Sequence, residues 1–161
     1  MTDEASSGQK LINVVLEERT LVRRKREVEH ERAVAIYDLL EENSFSPTGD
    51  LEGPFILHVA VEAGRLRMGI HDAEDQPLTQ AALSLSPLRS VIRDYFIVCE
   101  SYYDAIKHMS PSKIEAIDMG RRGLHDTGSH LLKEMLAPHV TIDPLTARRL
   151  FTLVCVLQLR G

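Results

Sequence analysis

Apolar and polar residues alternate along three neighbouring stretches in the first half of this chain. Phe55, Leu57, Val59 and Val61 alternate with Ile56, His58 and Ala60. Leu66, Met68 and Ile70 alternate with Arg65, Arg67 and His71, and Thr79, Ala81, Leu83 and Leu85 continue the pattern. A period of two marks half-buried strands, and the Ala63-Gly64 and Asp72–Pro77 breaks mark turns between them. The pattern predicts an antiparallel meander with one wet face. Leu11–Leu16 (LINVVL) is a further, N-terminal strand by its β-branched content and length.

Elsewhere the period is that of a helix. Ala33, Ile36, Leu39 and Leu40 make a narrow stripe over about 27–43, opened by glutamates that suit the positive end of a helix dipole. A loop rich in Asn, Ser, Pro and Gly follows to Pro54. Ser86-Pro87 signals a cap, and Leu88, Val91, Ile92, Tyr95, Val98, Cys99, Tyr102 and Ile106 then share one face of a helix over about 87–108. On this spacing Tyr102 faces the core and Tyr103 faces solvent. Ser110-Pro111 repeats the signal for a helix over about 111–136, ended by Pro138. His139–Ile142 reads as a short strand. Asp143-Pro144 opens a last helix over about 145–159, apolar nearly all round except at Thr152 and Gln158. Strands precede helices, so the fold class is α+β: a small antiparallel sheet packed against about four helices. Residues 1–9 read as a disordered leader and 10–161 as a single domain.

The segment 114–136 breaks the rules of its own period. Ile114, Ile117, Arg121, Leu124, Gly128, Leu131 and Met135 follow the spacing of a packed seam, yet Arg121 and Gly128 occupy apolar slots in it. Gly120 and Gly123 interrupt the same stretch. Each interior glycine costs about 1 kcal/mol relative to alanine. Either the helix breaks here or another backbone packs closely against it.

A break would place free backbone N–H groups beside arginines and a histidine, which is the chemistry of an anion site. Arg121, Arg122 and His125 are its candidate residues, with Arg148 and Arg149 as contributors from the first turns of the last helix. The competing reading pairs Arg121 with Asp118 or Glu115 as a half-buried structural ion pair. The glycine spacing is not that of a phosphate-binding loop. No nucleophile elbow is present and Cys99 sits in an apolar pattern, so no catalytic residue is assigned. His125 and His130 are misplaced for a helical metal pair, and His30 lies in a Glu-rich turn; histidine spacing assigns no metal site. His58 and His71 are placed to face each other across a hairpin. No cofactor motif is found.

Composition narrows the class. The 161-residue chain carries a net charge of −5 and only 5% aromatic residues with no Trp, which argues against a nucleic-acid binder and a base-stacking platform. The run Arg23–Arg26 lies within a stretch, Glu17 to Arg32, of six basic and five acidic residues, so it reads as a solvated linker rather than a basic arm for an acidic partner. The N-terminal MTDEASSGQK lacks the basic and apolar regions of a signal peptide, and the longest apolar run, Leu150–Leu159, is too short to span a bilayer. Cys99 and Cys155 read as reduced core thiols, consistent with a cytoplasmic location and no membrane partner.

Four phrases carry a resemblance: HERAVAIYDLLEENSF (30–45), RDYFIVCESYYDAI (93–106), IEAIDMGRRGLHDTGS (114–129) and TARRLFTLVCVLQLRG (146–161). In this order they resemble a small uncharacterised protein family of alphaproteobacteria with no assigned activity. The resemblance implies a bacterial cytoplasmic origin and transfers no functional residue. Two functional readings stand. One is a non-enzymatic interaction or regulatory module with a protein partner or self-association. The other is a binder of a small anion or phosphate ester, an enzyme in one form of that reading, using the Arg/His cluster.

Overall fold

The computed structural model describes residues 8–17 and 26–158. In chain order the elements are β1 (Leu11–Leu16), α1 (Arg26–Glu41), β2 (Phe45–Pro47), β3 (Phe55–Glu62), β4 (Arg65–His71), β5 (Pro77–Ser84), a 3-10 turn (Ser86–Leu88), α2 (Arg89–His108), α3 (Pro111–Leu136), β6 (Val140–Ile142) and α4 (Pro144–Gln158). The architecture is α+β. Residues 1–7 of the expected leader and 23–25 of the basic run lie outside the described residues. Gln9, assigned to the leader, is tied into the fold: its side chain accepts from Gly53 N at 2.7 Å and donates to the Leu51 carbonyl at 3.1 Å.

The four-stranded sheet has the order β1-β3-β4-β5. The meander β3-β4-β5 is antiparallel, as the alternation predicts. β1, however, pairs with β3 in parallel, so the sheet is mixed rather than antiparallel. The cause is α1. It carries the chain back along the sheet, and β3 therefore starts at the same end as β1. Asn43, just beyond α1, secures this crossover. Its amide donates to the carbonyls of Leu11 (3.0 Å) and Leu39 (2.7 Å), and its oxygen accepts from Leu11 N (2.6 Å).

The loop expected over 43–54 contains β2, which pairs antiparallel with β6. Three residues are too few to show a period, so only the partner reveals the strand. Phe45, Val140 and Ile142 are buried there, and Phe45 packs 6.1 Å from Phe55. One face of the main sheet is buried by Phe55, Leu57, Val59, Leu66, Met68 and Ile70. The other, carrying His58, Arg67, Gly69 and His71, is open.

α4 is the central helix, packing against α1, α3 and β3. Thr146, Ala147, Leu150, Phe151 and Leu153 to Val156 are all buried in it. Asp143 caps it, with Thr146 N donating to Asp143 Oδ1 at 2.9 Å. Ser86 does not cap α2: a 3-10 turn intervenes and the helix starts at Arg89. The stripe of α1 also differs, since Ala35 and Leu39 are buried and Ala33 is exposed. On α2, Ile106 is exposed while Ala105 is buried, and Tyr103, rather than Tyr102, packs against the core.

α3 runs unbroken through its glycines. Its buried positions are Gly128, Ser129, Leu132 and Leu136, one residue round from the expected seam of Gly128, Leu131 and Met135. The glycines divide by environment. Side chains at 120 and 123 would meet nothing within 4 Å. At 128 a Cβ would strike the Phe151 ring, 2.8 Å from Cε2 and nearer still to Cζ and Cε1. Gly128 is thus the contact that lets α3 lie against α4.

These differences predict opposite responses. Gly128→Ala overpacks the α3–α4 contact and should cost about 1–3 kcal/mol or more. Gly120→Ala and Gly123→Ala should each stabilise by up to about 1 kcal/mol through helix propensity. Urea unfolding of the three variants separates them; a similar destabilisation by all three would contradict the assignment.

Candidate functional site

The α3–α4 contact leaves a cleft of about 370 Å³, walled by α1 on its third side. All five residues expected to form an anion site line it: Arg121, Arg122 and His125 from α3, and Arg148 and Arg149 from α4. Thr152 of α4 lines it too, so both helices present side chains at i, i+1 and i+4. That spacing keeps the three on one helical face. Tyr95 of α2 and the α1 residues His30, Glu31, Val34, Ala35 and Asp38 complete the lining.

His125 joins the two walls. Its Nε2 lies 2.8 Å from Thr152 Oγ1, and Thr152 in turn donates to the Arg148 carbonyl at 3.3 Å. The hydroxyl proton being used there, His125 Nε2–H is the donor to Thr152. Phe151 and Tyr95 pack edge-on against the imidazole, with ring centroids at 5.1 and 5.4 Å. Burial first, then the charges of Arg148, Arg121 and Arg149, pulls its pKa down to about 4.

The arginines are held to different degrees. Arg121 donates through Nε and Nη2 to Asp118 Oδ1, at 3.1 and 2.6 Å. Its Nη1 is 3.7 Å from Glu31 Oε1 and its Cζ stands 4.6 Å from the Tyr102 ring centroid. Arg122 takes the other Asp118 oxygen at 2.9 Å. Hydrogen bonding from Arg121 is the main reason the Asp118 carboxyl titrates below its ordinary value. Arg148 pairs with Asp126. Arg149 Nε is buried, forms no hydrogen bond and lies 3.8 Å from Asp38 Oδ2. The structural pair and the cleft residue, posed as alternatives by the sequence, are one side chain: Arg121 is bound to Asp118 and still lines the cavity.

Two further cleft residues, Glu31 and Asp38, escape sequence reasoning. Glu31 accepts from the Tyr103 hydroxyl at 2.8 Å. Glu31 and Asp38 read as ordinary charges on an exposed helix face, and nothing local marks them. Thr152 was signalled, as a polar residue in an otherwise apolar helix.

The sequence model of the uncharacterised protein family UPF0262 matches residues 8–160. The chain belongs to the UPF0262 family. A UPF0262 protein of Rhodospirillum rubrum is 57% identical over 151 residues, covering 94% of this chain and 93% of its own. One from Paramagnetospirillum magneticum is 55% identical over 153 residues, with 95% and 98% covered. One from Azorhizobium caulinodans is 54% identical over 154 residues, with 94% and 95% covered. These relatives are alphaproteobacterial, as the four sequence phrases imply. No solved structure matches the chain. Among the described residues of this UPF0262 protein, no helix is long and apolar enough to cross a membrane.

The neutral imidazole sets a pH dependence. Its pKa is about 4 when folded against 6.5 ordinarily, so protons favour the unfolded chain. The stability it confers is complete above pH 6.5 and is lost as pH falls through 4, reaching about 3 kcal/mol. Urea denaturation between pH 7 and 4 should show this decline, and His125→Gln should flatten it. An equal slope in both proteins would contradict the assignment.

Proposed function

We propose that this UPF0262 protein is a non-enzymatic regulatory module that recognises a small anionic ligand, of the phosphate-ester class, in the α1–α3–α4 cleft. The carrying observation is the convergence of four arginines from two helices on one cavity. Guanidinium groups match phosphate and carboxylate oxygens bidentately. The Arg122 side chain is 71% exposed and so has hydrogen-bonding capacity to offer, whereas the buried Arg149 Nε lies beside Asp38. Glu31 and Asp38 on the facing wall suit hydroxyl donors, which favours a phosphorylated polyol or sugar over bare phosphate.

A binding role fits the protonation states better than a catalytic one. A general acid–base works best with a pKa near the working pH. His125 lies well below neutrality. Burial raises the Tyr95 hydroxyl far above its ordinary range and pushes the Cys99 thiol up to about 11. The free, buried thiols of Cys99 and Cys155 support a cytoplasmic site of action. A second reading, docking of a protein partner or a second copy, is supported by exposed Ile97, Ile106 and Met109 at α2 and its C-terminus and by Met119 on α3.

Thermal-shift measurements with inorganic phosphate, pyrophosphate and a hexose phosphate test the anion reading. Saturation at 100 times Kd adds about 2.7 kcal/mol, which for a chain of this size raises Tm by about 5–10 °C. Arg148→Gln with Arg149→Gln should weaken binding at least tenfold while leaving the ligand-free Tm nearly unchanged. No shift with any anion, or an undiminished shift in the double variant, would reject it. Sedimentation of the ligand-free protein addresses the second reading, for which a dimer is the expected result.

A further inference from the structure

The open face of the sheet holds a second cluster, remote from the arginine cleft in the sequence and in the residues that line it. We propose that His58, His71 and Asp75 form a binding site for one divalent transition-metal ion of the zinc class, with Glu17 orienting His58 from behind.

Strand register assembles the site. His58 of β3 is paired with Gly69 of β4, and His71 follows two residues on, on the same face. The two imidazoles consequently stack, with centroids 4.0 Å apart and planes inclined by 25°. Gly69 makes the room. A Cβ at that position would lie 3.3 Å from His71 Nε2 and 3.6 Å from His58 Cβ. The β4–β5 turn then brings Asp75 across both rings. Its Oδ1 is 2.8 Å from His58 Nε2 and 3.0 Å from His71 Nδ1. Asp72 holds that turn, its Oδ1 accepting from the backbone N–H of Glu74 and Gln76, each at 2.9 Å. One ligand atom from each of the three residues lies within 4.8 Å of the others.

Hydrogen-bond accounting shows that acceptors converge on the two imidazoles. His58 Nδ1 lies 3.1 Å from Glu17 Oε1, an acceptor. A neutral imidazole has one N–H, and donating it to Glu17 leaves a lone pair on Nε2 facing the Asp75 carboxylate. His71 Nδ1 also faces acceptors only, the Asp75 Oδ1 and its carbonyl at 3.1 Å. Protons alone satisfy the cluster with His58 as an imidazolium and His71 as its neutral Nδ1–H tautomer, so the His58 proton occupies the place a metal ion would take. A divalent cation bound by the two nitrogens and the carboxylate would displace that proton and leave both imidazoles neutral. Zinc-class ions bind imidazole nitrogen and carboxylate oxygen at about 2.0–2.2 Å. At the tetrahedral angle of a zinc site two such ligands are about 3.4 Å apart, so binding would open the 2.8 and 3.0 Å separations from Asp75 Oδ1 by about half an ångström. Glu17 supplies the outer carboxylate that commonly fixes the tautomer of a ligating histidine.

Three protein ligands leave coordination positions free. They open on a hollow of about 470 Å³ that also includes Arg67 and Gln80, where water or a small oxyanion would complete the shell.

The test uses tag-free, chelator-treated protein titrated with ZnCl2 by calorimetry and with CoCl2 by visible absorption. One ion per chain at micromolar Kd or tighter, with cobalt bands of reduced symmetry, is the expected result. His71→Gln and Asp75→Asn should each weaken binding at least 100-fold with the far-ultraviolet circular dichroism unchanged. Glu17→Gln, which touches no metal, should weaken it about tenfold. Absence of binding below millimolar concentration would overturn the proposal. So would binding that survives both ligand substitutions, because it would place the ion on other histidines.

Discussion

The approach of Gly128 to the Phe151 ring is the contact on which the helical half of this protein depends. Phe151 is fully buried in the core and touches the Tyr95 and His125 rings as well. A side chain at 128 would wedge α3 away from α4. With none, the two helices sit close, and their i, i+1, i+4 polar triplets fall on the same cavity. The conformational cost of a glycine in a long helix is thereby exchanged for packing density, where a filled gap gains many small dispersion contacts.

The cleft that results is charged but internally balanced. Asp118 holds two arginines, Asp126 a third, and Asp38 stands near the fourth. Such pairing offsets the charges of the guanidinium groups and fixes their directions. Under the proposed anion reading it also limits affinity, since an incoming phosphate would compete with carboxylates already in place. Under the same proposal, arginines lining a cleft beside a neutral His125 would suit one compact anion better than a polymer. The net charge of −5 over the chain points the same way.

The elements themselves were largely legible. The alternation over 55–85 and the helical period from 88 onward correspond to β3, β4, β5 and α2, and Asp143 caps α4 as its position before Pro144 implies. The misreadings have particular causes. β2 is three residues long and exists through its pairing with β6. The parallel placement of β1 follows from the path of α1, which no strand pattern records. On α3 an assumed a/d spacing set the seam one residue off, because a sparse apolar stripe with glycines admits two registers and only the position of Phe151 selects one. The five cleft residues were legible as a cluster of anion-binding types; the carboxylates opposite them, on α1, were not.

By itself the sequence determined where the chain is extended, where it is helical and which side chains carry charge, because periodicity, caps and turn residues act over a few neighbouring positions. Tertiary structure decided which of these meet. It aligned Arg121 with Arg149, set His58 against His71 by strand register, and turned a glycine interruption into a close helix contact. These outcomes depend on pairing and packing between residues far apart in the chain, and local propensity carries no information about such distances.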